Sequence, residues 1–284
     1  MRFPVITLLI ACILFSCAIE VTAQNPKKVA KVSDAKKAWL NRVTTDPPGP
    51  HQKLRPMQLS YLLSWKKRMK AGEMDFAVTE PYPGVYLSKA SGKSIGLPRA
   101  LFPYDFSGTS QTNANTLKPL TFDFTDTLKN KTHKYSILFQ PNQMITQTDL
   151  TDHKTGTTTP YRHAYRFKKD IGLDLMSSVL YLRSQTLTHR QKISLVTATF
   201  NKPYLTEFTV VGKETRPFEK GKINAIKLDV KISKIHGNMT IEPYSKIERA
   251  TVWITDDEYR IPLELQAKIF IGYISAQLTH RKFL

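Results

Sequence analysis

Asp256 and Asp257 are the residues of this sequence that most resemble a catalytic carboxylate pair. They stand side by side in ATVWITDDEYRIPLELQ, residues 250–266. Catalytic carboxylate pairs are set by facing elements, with the substrate between them. Adjacent residues rarely aim both carboxylates at one substrate, and Asp is common in turns because its side chain accepts from nearby backbone N–H groups. We therefore predict a turn between two strands here, closed by Tyr259 and Arg260.

Other candidate motifs for catalysis are incomplete. In SKASGKS, residues 88–94, a phosphate-binding loop would need a glycine five residues before Gly92, and that position holds Leu87. The seven histidines show no short spacing typical of a zinc site, and no serine stands in a nucleophile elbow. The sequence therefore names no catalytic residue, no metal ligand and no cofactor, and we rank an enzyme last among the functions considered.

Three aromatic residues remain as candidate contacts of a ligand. Tyr61 and Trp65 lie in SYLLSW, and Trp253 lies in IERATVWIT, both strand-like segments. Aromatic side chains in strands are most often part of the core, but they can also line a cavity for an apolar ligand. Tyr61, Trp65 and Trp253 are therefore our candidate ligand-binding residues.

The segments that carry these residues are mostly typical of strands. Apolar and polar residues alternate along INAIKLDVKISKI (223–235) and IPLELQAKIFIG (261–272), as in antiparallel strands with one solvated face. After Gly272 the apolar residues move to even positions, which predicts a bulge or tight bend there. Residues 57–78 read as two strands joined near Lys70-Ala71-Gly72.

One segment has helical spacing instead. In KDIGLDLMSSVLYLRSQ (169–185) the apolar residues recur every three or four positions, which predicts an amphipathic helix lying across the sheet. Residues 80–130 are too irregular to assign, although 120–128 and 134–140 could be strands. The predicted fold class is mainly β, a large curved antiparallel sheet or half-barrel with one amphipathic helix packed on it.

The first 23 residues have the composition of a cleaved secretory signal. Arg2 precedes an apolar run from Val5 to Phe15, and small residues end the segment at Ala23. A lipoprotein box ending at Cys17 is the alternative. A retained membrane anchor is less favoured, because the run is shorter than the roughly 20 residues of a span. We expect an exported protein of the periplasm or envelope, and cleavage after Ala23 would remove both cysteines.

Residues 24–56 are polar and basic and contain the Pro-Pro-Gly-Pro cluster of residues 47–50. Regular elements do not cross such a cluster, so this segment is predicted to be a tether. Ser33 could cap one short helix that runs to about Arg42. Residues 57–284 are predicted to form a single β-rich domain.

The formal charge of the chain is +19, and its basic residues are scattered. After export, the abundant polyanions are lipid headgroups and acidic envelope polymers rather than nucleic acid. We therefore expect no nucleic-acid partner. A lipid or another anionic envelope component, with peripheral membrane association, is the expected partner, although scattered charges are most often only a solvated face. The sequence leaves the oligomeric state open.

Several segments together resemble one known family. They are ATVWITDDEYRIPLELQAKIFIGYISAQL (250–278), LDLMSSVLYLRSQTL (173–187), SYLLSWKKRMKAGEMDF (60–76) and FTVVGKETRPFEKGKINAIKL (208–228). In this order they resemble the bacterial exported family known as domain of unknown function 3108. The resemblance implies a signal peptide, an envelope location and a large curved sheet similar to the half-barrels of periplasmic lipoprotein carriers. It assigns no catalytic residue.

Two functions from different classes follow from these observations. The first is non-catalytic binding of an apolar or lipidic ligand between the curved sheet and its helix. The second is a structural or interaction module that packs its sheet fully and binds an envelope protein or acidic polysaccharide. A continuous apolar cavity would favour the first hypothesis, and a filled core would favour the second.

Overall fold

The computed structural model describes residues 34–167, 169–247, 249–269 and 272–284. Residues 34–42 form a 3-10 helix, Asp34–Arg42, and two α-helices follow, α1 (Gly96–Leu101) and α2 (Leu175–Ser184). The strands are β1 (Met57–Trp65), β2 (Met69–Tyr82), β3 (Val85–Ser94), β4 (Tyr104–Asn113), β5 (Pro119–Leu128), β6 (Lys131–Gln140), β7 (Gln143–Asp152), β8 (Thr157–Arg166), β9 (Gly172–Asp174), β10 (Lys192–Thr199), β11 (Lys202–Phe218), β12 (Gly221–Ile235), β13 (Ile241–Pro243), β14 (Arg249–Thr255), β15 (Pro262–Ile269) and β16 (Gly272–Phe283).

All sixteen strands found in these ranges belong to one sheet, in the order β8-β7-β6-β5-β4-β3-β2-β1-β16-β15-β14-β12-β11-β10-β9, with β13 beside β12. The pairs are antiparallel except β9 with β10, which are parallel. The sheet is curved and does not close on itself. This confirms the predicted fold class, a large curved antiparallel sheet with a helix packed on it. No helix in the described ranges is long and apolar enough to cross a membrane.

The alternation of apolar residues explains the longest strands. In β12, Ile226 and Leu228 are fully buried, while Lys227 and Lys231 lie on the more solvent-exposed face. The change of parity at Gly272 coincides with a reversal of the chain, because Ile269 pairs directly with Gly272. Gly272 has φ +129°, a conformation that glycine adopts at little cost. The predicted tight bend is therefore confirmed.

The turn between β1 and β2 lies earlier than the sequence predicted. Lys66 and Lys67 adopt left-handed conformations, with φ of 51° and 55°, and reverse the chain there. Gly72, the expected turn residue, instead pairs with Leu63 in the interior of the sheet. A register shift between Leu63 and Ser64 accompanies this pairing. The prediction was wrong because it relied on glycine as the turn residue.

Residues 80–130, most of which the sequence left unassigned, contain the whole of β3, β4 and β5. Their strands were hard to recognise because small polar residues also occupy the inner face. Ser88, Ser110 and Thr112 are all fully buried. The expected contrast between an apolar face and a polar face is therefore weak in this part of the sheet.

The described part of the predicted tether, residues 34–56, packs against the sheet. Trp39, Val43 and Leu54 are buried, and Trp39 Nε1 donates to the carbonyl of Met239 at 2.9 Å. The short helix is present as the 3-10 helix that ends at Arg42. The predicted signal peptide, the lipoprotein box at Cys17 and the first part of the tether lie outside the described residues.

Candidate functional site: an apolar cavity beneath helix α2

An apolar cavity of about 230 Å³ lies between helix α2 and the inner face of the sheet. The helix contributes Leu175, Val179 and Leu182, among other residues, to its roof. The floor consists of inward-facing residues of β1–β3, β10–β12 and β14–β16. Strands of the N-terminal half of the sheet (β1–β8) and of its C-terminal half (β9–β16) therefore meet around one space. The space depends on the curvature that brings the two halves together.

Asp174 fixes the start of the helix that covers the cavity. Its carboxylate accepts from the backbone N–H groups of Met176 at 2.7 Å and Ser177 at 3.0 Å, which is the geometry of an N-cap. Its other oxygen accepts from Ser110 Oγ in β4 at 2.9 Å. Burial raises the pKa of Asp174, although these hydrogen bonds favour the charged form. The Asp174 carboxylate thus joins helix α2 to β4, in the N-terminal half of the sheet.

Of the three aromatic residues chosen from the sequence, Tyr61 alone is among the residues that line this cavity. Its hydroxyl donates to the carbonyl of Pro262, also a lining residue, at 2.9 Å. Burial raises the pKa of the Tyr61 phenol. Trp65 lies on the same face of β1 as Tyr61 but four residues farther along the strand. At the rise of a β-strand this is a distance of about 13 Å, so Trp65 does not reach the cavity.

Trp253 lies on the opposite face of the sheet from the cavity. Its neighbours Val252 and Ile254 line the cavity, and side chains alternate between faces along a strand. The Trp253 indole donates to Glu214 at 2.6 Å, and the guanidinium of Arg216 stacks 4.4 Å from its ring centroid. The structure therefore brings Tyr61 to the cavity and separates Trp253 from it.

Asp256 and Asp257 form the predicted turn. Asp257 Oδ1 accepts from the backbone N–H groups of Tyr259 and Arg260, each at 3.0 Å, and from Thr255 Oγ1 at 2.6 Å. Asp256 instead pairs with Lys213 at 2.6 Å and with Arg260 at 3.2 Å. Asp257 thus binds backbone groups of the loop, whereas Asp256 pairs with the side chains of Arg260 and of Lys213 in β11, which confirms the prediction of a turn.

A buried pair that the sequence did not reveal joins β5 and β6. His133 Nδ1 lies 2.9 Å from Asp126 Oδ1, and the imidazole stacks on Tyr135. Such a pair forms two parts of a Ser-His-Asp triad, which also needs a nucleophile at the other ring nitrogen. Within the described ranges no hydroxyl is hydrogen-bonded to that nitrogen, and no cluster of three or more His, Cys, Asp or Glu side chains could hold a metal ion.

A polar groove of about 570 Å³ crosses the outer face of the sheet. Lys89, Lys282 and His280 lie along it with Asp75 and Asp123, so its charge is mixed. Asp75 accepts from Ser60 Oγ at 2.6 Å, and Asp123 accepts from Ser136 Oγ at 2.8 Å. The groove is larger than the inner cavity, but its lining is more polar and it is more open to solvent, so the apolar cavity is the better candidate for a ligand site.

An open curved antiparallel sheet that holds a helix over an apolar cavity places the molecule among β-barrel-like domains. The model of the family described as protein of unknown function (DUF3108) matches residues 60–279. The chain therefore belongs to the DUF3108 family, as the resemblance of its segments predicted. A search of curated proteins found no match to the chain.

One solved structure shows a similar fold at low sequence identity, and two others match this chain with lower TM-scores. A β-barrel-like DUF1849 protein from Brucella abortus is 11% identical with a TM-score of 0.53, over 82% of this chain and 99% of that one. A candidate exported protein with a YmcC-like fold from Bacteroides fragilis is 7% identical with a TM-score of 0.33, over 83% and 98% of the two chains. A candidate lipoprotein from Parabacteroides distasonis is 10% identical with a TM-score of 0.31, over 84% and 100%.

Proposed function

We propose that this protein is a non-catalytic binding protein of the cell envelope that holds an apolar or lipidic ligand beneath helix α2. The observation that carries the proposal is the apolar cavity between the helix and both halves of the sheet. Ligand sites are typically enclosed, mostly apolar spaces with a few polar groups that orient the ligand. The Tyr61 hydroxyl, Ser178 and Thr197 supply such groups among the lining residues.

The size of the cavity favours a slender ligand. Its volume of about 230 Å³ is below the roughly 300–1,000 Å³ of pockets for drug-sized molecules. A single alkyl chain is long, thin and wholly apolar, and each buried methylene contributes about 0.8 kcal/mol. Leu175 and Val179 of α2 are only partly buried, so the helix side of the cavity offers an entrance.

The proposal includes export of the protein and its association with an anionic partner. The signal-like residues 1–23 support an exported protein, with Cys17 as the alternative lipidation site. The charge of +19 supports peripheral association with a lipid or another anionic envelope component. A ligand carried between membrane surfaces or held at one surface would be consistent with both features.

The proposal is tested by filling the cavity. Val179→Trp adds a large side chain to the roof of the cavity. We expect it to weaken binding of the apolar fluorophore N-phenyl-1-naphthylamine at least tenfold, because the indole and the fluorophore cannot occupy the same space. Val211→Trp makes the same change at a position in β11 that is 41% exposed and outside the lining residues. This control variant should bind the fluorophore as the wild type does.

The readout is a fluorescence titration, with thermal unfolding of each variant to verify that it is folded. Equal binding by wild type and Val179→Trp would overturn the assignment of the site. No binding by the folded wild type would favour the interaction module instead. For that alternative, the edge strand β8 offers a suitable surface, since its residues are exposed or only partly buried along its whole length.

A further inference from the structure

Arg183 is a buried cation with incomplete hydrogen bonding. It lies in the last turn of α2 with 4% of its surface exposed, and its Nε donates to the carbonyl of Tyr259 at 3.1 Å. Its Nη1 is buried without a hydrogen-bond partner, and no carboxylate of the described chain forms an ion pair with it. Burial lowers the pKa of Arg183 to about 10, and the charge of Arg260 also lowers it, while Tyr86 and Asp257 act in the opposite direction. Nη1 of this buried guanidinium therefore lacks an acceptor, which is costly for a buried charged group.

Arg260 is a second buried cation in the same place. It is 8% exposed, and its guanidinium donates to Asp256 at 3.2 Å, to His51 at 3.3 Å and to the carbonyl of Thr186 at 3.5 Å. Its Nε is also buried without a partner. The nearest acids are already engaged, since Asp256 also pairs with Lys213 and Asp257 Oδ1 accepts three hydrogen bonds within the loop. Each of the two arginines therefore has one buried nitrogen that donates to no acceptor oxygen, Nη1 in Arg183 and Nε in Arg260.

Both arginines adjoin segments that line the apolar cavity, although neither is itself a lining residue. Leu182 lines the cavity and Arg183 follows it directly in the helix, one turn beyond the lining residue Val179. On the sheet side, Ile254 and Pro262 line the cavity, and the loop between them carries Arg260. The two guanidinium groups therefore lie just beyond lining residues of the helix and of the sheet, and each has one buried, unpaired nitrogen, Arg183 Nη1 and Arg260 Nε.

We propose that Arg183 and Arg260 form an oxyanion site that takes the carboxylate or phosphate group of an amphiphile whose chain occupies the cavity. This inference rests on the proposed function and adds the chemical class of the ligand. Guanidinium groups suit both oxyanions because their N–H groups match the spacing of carboxylate and phosphate oxygens. A bound oxyanion supplies acceptors to the two unpaired donors and offsets the repulsion between the two cations.

The test compares ligands with the same chain and different headgroups. Dodecanoate and dodecanol are titrated at neutral pH, where the carboxylate is ionised, by displacement of N-phenyl-1-naphthylamine. Wild type should prefer dodecanoate by about tenfold or more. Arg183→Met and Arg260→Met should each remove this preference and leave dodecanol binding unchanged. Arg249→Met, at the exposed pair with Asp229, should change neither affinity.

The outcomes separate this inference from the proposed function. Equal affinity of wild type for dodecanoate and dodecanol would overturn the oxyanion site and leave the binding cavity in place. If neither ligand binds, the proposed function fails, and inorganic phosphate then tests the arginines alone. Thermal protection by phosphate that disappears in Arg183→Met would support an oxyanion site for a free anion, and absence of protection would overturn it.

Discussion

His51 illustrates how the surroundings of a single residue control its chemistry. Its imidazole Nε2 lies 3.3 Å from Nη2 of Arg260, next to the end of α2. Burial lowers the pKa of His51 below its ordinary value of 6.5, and the charge of Arg260 lowers it further. The folded protein therefore holds this histidine neutral at pH values where an unfolded chain begins to bind a proton.

This shift predicts a pH dependence of stability. Between the lowered pKa and 6.5, the unfolded state binds more protons than the folded state, so the free energy of unfolding rises with pH through that window and falls on acidification. His51→Gln keeps an acceptor for Arg260 but does not titrate, so the slope should flatten. The measurement is urea unfolding at a series of pH values. The exposed His189→Gln should keep the wild-type slope, and an unchanged slope in His51→Gln would contradict the assignment.

At the scale of elements, the turn between β10 and β11 connects the two halves of the open sheet. Phe200, at φ +57°, packs its ring against side chains of β5 and β6, with its centroid 5.0 Å from that of Phe124 and 4.9 Å from that of Tyr135. The carbonyl of Asn201 also accepts from Tyr165 Oη at 3.3 Å. These contacts hold the two sheet halves in the curvature that encloses the cavity.

Phe200→Ala should therefore be strongly destabilising. Phe200 is 1% exposed, and removal of a fully buried phenylalanine costs about 3–5 kcal/mol through lost burial and the space left behind. Urea unfolding gives the change in the free energy of unfolding. Tyr82→Ala removes an aromatic ring that is 52% exposed and should change it by no more than about 0.5 kcal/mol. Equal effects of the two substitutions would refute the role of the turn.

For the whole molecule, net charge is the property most relevant to its partners. The chain has 42 basic and 23 acidic residues, and cations such as Lys231 and Arg249 lie on the solvated face of the C-terminal strands. A charge of this kind attracts anionic surfaces over about 10 Å at moderate salt, without a defined pocket. The net charge therefore affects how the protein associates with its partners, and it gives no information about the fold.

We predict that the protein binds vesicles that contain phosphatidylglycerol and that this binding weakens as salt increases. Each lysine or arginine near an anionic membrane contributes about 1 kcal/mol, and salt screens that attraction. Co-sedimentation with vesicles at increasing salt measures the effect. Pure phosphatidylcholine vesicles are the control and should not retain the protein. Equal retention by both kinds of vesicle, or no effect of salt, would argue against electrostatic association.

The sequence by itself determined the fold class and the positions of its clearest elements. Alternation in β12 and β15, the helical spacing of residues 175–184 and the Asp256-Asp257 turn are local patterns, because each depends on residues close together in the chain. The sequence could also indicate Tyr61, since it lies on the apolar face of a strand. It could not separate Tyr61 from Trp253, because the face that encloses a cavity is chosen only when the sheet curves.

Tertiary structure alone decided where the cavity lies and which charged side chains are buried beside the segments that line it. Arg183 and Arg260 are separated by most of the C-terminal strands in sequence, and both look like ordinary surface cations there. Folding buries them together, because α2 crosses the curved sheet and ends at the loop between β14 and β15. Burial and the approach of distant groups create the unmet hydrogen-bonding capacity, and neither can be derived from residue spacing.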